Sequence, residues 1–376
     1  MNDTILVDEL ESGGGFVVGH LQLNAESTLN SLSLAMVRQI RSQLGAWRER
    51  NDVSAVLITA VGEKAFCAGG DIQALYRGVC ANHEALANHE IRAEVDSYPF
   101  DFFREEYELD YAMHTYPKPV LTIGQGIVMG GGLGIFSASS HRVATETSRM
   151  ALPEITIGLF PDAGATWTLG RMPQHWASFL GMTGSHINAT DALKSGIATH
   201  VIAQEQRLRL ISEIAQLPWV EDAVANHALL DDWLSRGSNP PMPESALVNV
   251  VDRDVYFDDF EKEVAQLNTL KGASDWIDRG LGNLRGGCPT TAGIVVEQLR
   301  RVASLSLADS FRLELTVATH CARYSDFREG VRALLIDKDG APQWKFGSLA
   351  GLEWSHVLSH FEDPWDEHPL AHLEEI

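Results

Sequence analysis

The segment at residues 119–140 contains no charged side chain, and this run limits what the chain can fold into. It is long enough to cross a bilayer as a helix. Six glycines, however, lie between residues 124 and 134, and each costs about 1 kcal/mol of helix propensity in a helix interior. We therefore predict a buried strand at 120–123, a glycine turn and then a buried helix, and not a membrane span.

The first half of the chain alternates between strand and helix patterns. Strands are predicted at residues 16–23, 56–59 and 142–144. Helices are predicted from Asp71 and from Ser27, after which apolar residues follow at helical spacing: Val37, Ile40, Leu44 and Trp47. Such alternation indicates the α/β class. Beyond about residue 205 the pattern is mostly helical. We therefore predict a core at 1–205, followed by a helical region at 206–376 that completes the fold and covers the active site.

The formal net charge is −22, from 51 acidic and 29 basic side chains. A field of this sign repels nucleic acid backbones and anionic lipid surfaces, so we expect neither nucleic acid nor a membrane as a partner. The field also repels anionic substrates. A site for such a substrate would need local cations, backbone N–H groups or a helix N-terminus.

The spacing of the four cysteines matches no zinc-ligand pattern and no disulfide framework. These are Cys67, Cys80, Cys288 and Cys321. We expect neither a metal nor a cofactor. The first residues are acidic and lack the basic start of a signal or transit peptide, which predicts a cytoplasmic protein.

Two glycine-rich turns could each present bare backbone N–H groups. The first, at residues 64–71, precedes a predicted helix, and the second, at 124–134, contains three consecutive glycines. N–H groups at such turns can hold an oxyanion or a phosphate. The first turn could instead be a plain helix-entry loop with Asp71 as the helix cap, and the second could reflect tight helix–sheet packing. Neither turn has the glycine-rich pattern of a nucleoside triphosphate site.

Two carboxylates, Glu154 and Asp162, lie in an otherwise apolar segment at residues 152–164. Carboxylates in apolar surroundings have raised pKa values and can exchange protons near neutral pH. Asp162 could instead cap the helix that follows it, and Glu154 could lie in a surface loop, although its apolar neighbours disfavour that alternative. Glu106 lies in a charged run that locally indicates a solvated helix face.

Three motifs in this order resemble the signature of the crotonase (enoyl-CoA hydratase/isomerase) superfamily. They are Lys-Ala-Phe-Cys-Ala-Gly-Gly-Asp at residues 64–71, Met-Gly-Gly-Gly at 129–132 and Pro-Glu at 153–154. The resemblance covers about residues 5–205 and implies a spiral of ββα units with an α-helical C-terminal region. Motifs at 103–107, 158–162 and 329–339 are similar to the 3-hydroxyisobutyryl-CoA hydrolase family and extend the resemblance over nearly the whole chain.

The resemblance gives both glycine turns one role. By position, it implies that the backbone N–H groups of Ala68 and Gly131 form an oxyanion hole for a thioester carbonyl. It also implies that the loop of Lys64, Ala65 and Phe66 binds the CoA part of the substrate through backbone contacts.

The resemblance likewise implies that Glu154 and Asp162 are the catalytic carboxylates, and that Glu106 lies at the acyl end of the site. Hydratases of the superfamily carry a second glutamate at the position of Gly134, and its absence here favours hydrolysis over hydration. We therefore expect hydrolysis of 3-hydroxyisobutyryl-CoA, and also of 3-hydroxypropionyl-CoA, to the free hydroxy acid and CoA, as in valine catabolism.

Two other functions remain open from the sequence. The chain could catalyse hydration or isomerisation of another acyl-CoA, or it could be a binding scaffold, including one for RNA. The net charge and the intact carboxylates oppose the scaffold. The superfamily favours trimers and hexamers, so a homo-oligomer is also open.

Overall fold

A computed structural model describes residues 3–87, 97–237 and 240–375 of the chain. Its contacts divide the chain into two units whose segments alternate along the sequence. The first unit consists of Met1–Gly70, Leu109–Met150 and Ile187–Ser245. The second unit consists of Asp71–Glu108, Ala151–His186 and Ala246–Ile376.

The strands of the described residues belong to the first unit, save the last residue of β8. They are β1 (Ile5–Glu11), β2 (Val17–Leu23), β3 (Val53–Ala60), β4 (Ala65–Cys67), β5 (Val120–Gly124), β6 (Ile127–Met129), β7 (His141–Thr145), β8 (Arg149–Ala151) and β9 (His200–Ile202). One sheet has the order β1-β2-β3-β5-β7-β9, in which only β1 and β2 are antiparallel. The smaller sheet has the order β4-β6-β8.

The α-helices occur in both units. They are α1 (Leu34–Arg48), α2 (Ile72–Ala87), α3 (Tyr98–His114), α4 (Gly131–Ala138), α5 (Ala165–Leu169), α6 (Gln174–Thr183), α7 (Ala189–Lys194), α8 (Arg207–Ile214), α9 (Ala223–Ser235), α10 (Phe260–Asn268), α11 (Asp275–Gly286), α12 (Pro289–Arg301), α13 (Leu307–Arg323), α14 (Ser325–Val331) and α15 (Trp354–Ser359).

The uncharged segment folds as predicted. It forms β5, the short strand β6 and then α4, whose residues are almost all buried. Within the described part of the chain, no helix has the length and apolar character needed to span a bilayer. The absence of charge therefore reflects the burial of most of the segment within the first unit.

The other predicted elements of the first half are also present. The helix predicted from Ser27 is α1, which begins later because Ser33 caps it through a bond from the N–H of Met36. Its apolar positions at helical spacing are buried as predicted. The predicted strands correspond to β2, β3 and β7, and the helix predicted from Asp71 corresponds to α2.

The division at residue 205 differs from the structure. Strands do end at β9, and the described residues that follow contain only helices and loops. However, α8 and α9 belong to the first unit because their apolar faces pack on its sheet. Leu210, Ile214 and Leu230 join Leu57 and Leu121 of the strands in one buried cluster. This burial places α8 and α9 with the sheet.

The second unit is helical and is built around α12. Every residue of α12 from Pro289 to Leu299 is buried, so this helix is covered on all its faces. Close approach of its neighbours depends on small residues, since a methyl group at Gly293 would lie 2.6 Å from Val357 of α15. The helix α13 is also largely buried and has a capping box at its N-terminus, formed by Ser306 and Asp309.

Candidate active site

The first glycine turn follows β4. The side chain of Asp71 accepts a bond from the N–H of Ala74 at 3.0 Å, so Asp71 caps α2, which was the alternative reading of this residue. The N–H of Ala68, which was expected to point at the substrate, donates to the carbonyl of Leu29 at 3.1 Å. If the Ala68 amide binds an oxyanion, that donor must be shared with Leu29 or released from it.

The second glycine turn precedes α4. Gly130 occupies the N-cap position without a side chain that could cap the helix, and Gly131 is the first helical residue. The N–H groups of a first helical turn have no acceptor within the helix. The Gly131 amide therefore has the character expected of an oxyanion donor.

The structure brings the two turns together within the first unit. Strands β4 and β6 pair in parallel, so their carboxyl ends lie at the same edge of the small sheet. A methyl group at Gly69 would be 3.4 Å from the carbonyl oxygen of Met129, and one at Gly132 would overlap the carbonyl oxygen of Cys67. Only a residue without a side chain fits at Gly132. The second alternative, tight packing, is therefore correct for Gly132 and also explains why the turns meet.

The backbone of the predicted CoA loop already has partners in the first unit. The carbonyl of Lys64 accepts from the N–H of Ile127 at 3.0 Å, and the N–H of Phe66 donates to the carbonyl of Gln125 at 2.8 Å. The carbonyl of Ala65 accepts from the Asn30 side chain. Ala65 and Phe66 are buried, whereas Lys64 is exposed. Binding of CoA by this loop stays a prediction, in which the Lys64 side chain is the accessible group.

Glu154 lies in the second unit, in a short 3₁₀ turn, and its residue surface is only 3% exposed. The surface-loop alternative is therefore wrong. Among the described residues, its Oε2 atom is buried without a hydrogen-bond partner. Burial raises the pKa of Glu154 well above its usual value, and the nearby charge of Asp162 raises it further. A carboxylate in this state is a strong proton acceptor when it is ionised.

Asp162 is buried in the same unit, and its Oδ2 accepts a bond from the Tyr107 hydroxyl at 2.7 Å. The residue at the N-cap of α5 is Gly164, so Asp162 does not cap that helix. Burial raises the pKa of Asp162 from 3.8 to about 6, although the bond from Tyr107 opposes this shift.

Glu106 is buried, which contradicts its local reading as part of a solvated helix face. It lies on α3 next to Tyr107, whose phenol pKa is raised mainly by burial and also by nearby charges, including that of Glu106. The role of Glu106 at the acyl end of the site stays a prediction.

Sequence reasoning missed Glu314 of α13. Its two carboxylate oxygens accept bonds from the N–H groups of Gly164 and Thr166, both at 2.8 Å. A signal for its burial was present, because Glu314 shares the apolar helix face of Phe311, Leu315 and Ala318. No local pattern indicated which segment it would bind.

The raised pKa of Asp162 predicts an unusual dependence of stability on pH. Because the pKa in the folded protein exceeds the unfolded value of 3.8, the folded state binds more protons between pH 3.8 and about 6. The stabilisation from this group is therefore fully present below pH 4 and is lost as pH rises through 6. The free energy of unfolding of Asp162→Asn minus that of wild type should therefore be larger at pH 8 than at pH 4.5. Urea unfolding at both values measures it, and an equal difference at both would contradict the assignment.

Comparisons with known proteins identify the family of the chain. A family model described as enoyl-CoA hydratase/isomerase matches residues 18–361. The mitochondrial 3-hydroxyisobutyryl-CoA hydrolase of Gallus gallus is 35% identical over 357 residues, covering 94% of this chain and 88% of that protein. The mitochondrial location in that name lends no support to the expected cytoplasmic location.

Solved structures give the same fold. A carnitinyl-CoA dehydratase from Mycobacterium thermoresistibile is 29% identical, with a TM-score of 0.80 and coverage of 98% of both chains. An enoyl-CoA hydratase from Rhodobacter sphaeroides is 28% identical, with a TM-score of 0.79 and coverage of 96% of this chain and 98% of that one. The predicted crotonase fold is thereby confirmed. The chain belongs to the enoyl-CoA hydratase/isomerase family and, within it, to the group that contains the 3-hydroxyisobutyryl-CoA hydrolases.

Proposed function

We propose that this protein hydrolyses short 3-hydroxyacyl-CoA thioesters, with 3-hydroxyisobutyryl-CoA as the main substrate. The observation that carries the proposal is the buried carboxyl group of Glu154, whose Oε2 lacks a hydrogen-bond partner among the described residues. A buried polar atom without a partner costs free energy and is rare in native proteins, and a catalytic role is one reason for keeping it. Similarity to a named 3-hydroxyisobutyryl-CoA hydrolase over 94% of the chain supports the choice of reaction.

In the proposed reaction, the amides of Ala68 and Gly131 stabilise the negative charge that develops on the thioester oxygen. Glu154 either takes a proton from the attacking water or attacks the carbonyl carbon itself to form a mixed anhydride. In both routes the C–S bond breaks and CoA leaves as the thiol after protonation. Asp162 binds the 3-hydroxyl or assists proton transfer, and Glu106 orients that hydroxyl.

The two routes differ in where an oxygen atom from water first enters. If Glu154 attacks, hydrolysis of the anhydride in ¹⁸O-labelled water can leave the label in its side chain. If water attacks directly, the label enters only the acid product. Label in the peptide that contains Glu154 after a single turnover, detected by mass spectrometry, would establish the anhydride route.

Hydration or isomerisation of an enoyl-CoA is the second candidate. The solved structures with TM-scores of 0.79 and 0.80 favour it, because these proteins are described as a hydratase and a dehydratase. Gly134 opposes it, since this buried position of α4 has no carboxylate to act with Glu154. A spectrophotometric assay with crotonyl-CoA tests it directly.

Release of free thiol from a panel of CoA esters tests the proposal. We expect the highest kcat/KM for 3-hydroxyisobutyryl-CoA. For 3-hydroxypropionyl-CoA, which lacks one methyl group, kcat/KM should be lower by about 10- to 200-fold. Isobutyryl-CoA, which differs from 3-hydroxyisobutyryl-CoA only in lacking the 3-hydroxyl, is the matched control and should be a poorer substrate. Hydration of crotonyl-CoA without thiol release from any ester would establish the second candidate instead. Activity on 3-hydroxyisobutyryl-CoA would connect the protein to valine catabolism.

A further inference from the structure

The backbone that carries Asp162 has an unusual conformation. Ala163 and Gly164, which follow it, have φ values of +54° and +81°. A left-handed conformation at a residue with a side chain costs about 1–2 kcal/mol, so Ala163 needs support from its surroundings. The turn closes through a bond from the N–H of Ala165 to the carbonyl of Asp162 at 3.0 Å.

Glu314 supplies that support from α13. Successive N–H groups of such a turn form a concavity that binds anionic groups, and the two oxygens of Glu314 occupy it. The side chain is fully buried, and burial raises its pKa to about 8, although its bonds to Gly164 and Thr166 oppose the shift. The charge of Asp162 also raises it.

The rest of the turn is bound by a second helix of the same unit, α12. The Gln298 side chain of α12 donates to the carbonyl of Pro161 at 3.0 Å and to the hydroxyl of Thr166 at 2.7 Å. Glu314 is thus the group that binds the turn immediately after Asp162, while Tyr107 binds the Asp162 side chain itself. An apolar residue could fill the space of Glu314, but it would leave two buried amides unpaired.

We propose that Glu314 is a positioning residue that fixes the backbone turn from which Asp162 presents its carboxylate. The effect on catalysis rests on the proposed function of Asp162. The positioning of the turn does not rest on that function, because it concerns only hydrogen bonds within the second unit. The two parts can therefore be tested separately.

The test uses the full-length protein with Glu314→Gln. Glutamine keeps the size and one acceptor, but its Nε2 faces an N–H group and that bond is lost. In hydrogen exchange with residue resolution, the amides of Gly164 and Thr166 should exchange at least about tenfold faster, while amides inside α12 do not change. Unchanged exchange at both amides would overturn the proposed positioning, whatever the enzyme's substrate.

The kinetic test asks whether Glu314 acts through Asp162. A misplaced catalytic group can cost on the order of 10²-fold, so we expect Glu314→Gln to lower kcat 10- to 100-fold and to change KM less than about threefold. In the Asp162→Asn background the same substitution should change kcat less than about threefold, because the group that it positions is gone. Equal fold losses in both backgrounds would overturn the proposal.

Glu263 provides the matched control. It is a buried glutamate of the same unit that binds Arg253, Ser178 and the N–H of Tyr256 away from the Asp162 turn. Glu263→Gln should lower the melting temperature and leave kcat per folded molecule unchanged, so a kcat loss in Glu314→Gln cannot be ascribed to lower stability. If wild type releases no thiol from any ester, the proposed function fails, and the exchange measurement still decides whether Glu314 holds the turn.

Discussion

Replacing Glu154 by glutamine is expected to lower turnover about 10³-fold while leaving the affinity for CoA esters nearly unchanged. Glutamine has the same shape but cannot accept a proton or attack a carbonyl carbon. Because burial already disfavours the ionised form of Glu154, the neutral side chain should not lower the stability of the protein at pH 7. Single-turnover thiol release measures the chemical step, and calorimetric titration with a CoA ester measures binding.

Turnover near that of wild type would remove Glu154 from the mechanism. A parallel loss of ester affinity would instead indicate a binding role. Glu263→Gln is again the control, since it changes a buried glutamate that the proposed reaction does not use. Its kcat per folded molecule should equal that of wild type.

Replacing Gly132 by alanine is expected to lower kcat by 10²- to 10³-fold, the usual cost of losing one oxyanion donor. The added methyl group would overlap the Cys67 carbonyl oxygen, so α4 and β4 would have to separate. This movement displaces the adjacent Gly131 amide. Overpacking should also lower the unfolding free energy, by about 1–3 kcal/mol. Thiol-release kinetics and urea unfolding measure the two effects.

Gly45→Ala is the matched control in the same unit. Gly45 lies inside α1, and a methyl group there would meet no atom within 4 Å. This change should raise the stability by about 0.5–1 kcal/mol and leave kcat unchanged. Wild-type kcat in Gly132→Ala would show that the Gly131 amide does not stabilise the oxyanion.

The parts of the fold that sequence predicted are those fixed by local patterns. The uncharged segment that forms β5, a turn and α4 was predicted correctly, because glycines are too frequent there for one long helix. Strand β1 was missed because it is an edge strand, and only Ile5 at its start is fully buried. The membership of α8 and α9 in the first unit could not be predicted, because their apolar positions reveal an apolar face but not which unit it covers.

The site shows the same distinction. Glu154 was predicted to be buried because its neighbours in the sequence are apolar, and it is buried in the structure. Glu106 has charged neighbours, so only the family resemblance suggested its position. Neither argument identified Glu314, because its partners lie 148 and 150 residues away in the chain. Contacts at such separations follow from the tertiary fold and leave no local pattern.

The alternation of the two units along the chain has a consequence for biosynthesis. Glu106, Glu154, Asp162 and Glu314 all belong to the second unit but lie in three of its separate segments. On the ribosome, Asp162 therefore emerges about 150 residues before the helix that supports its turn. This part of the enzyme can reach its final arrangement only late in translation, after α13 has left the exit tunnel. Nascent chains halted before residue 314 should lack protection from exchange at the amides of Gly164 and Thr166.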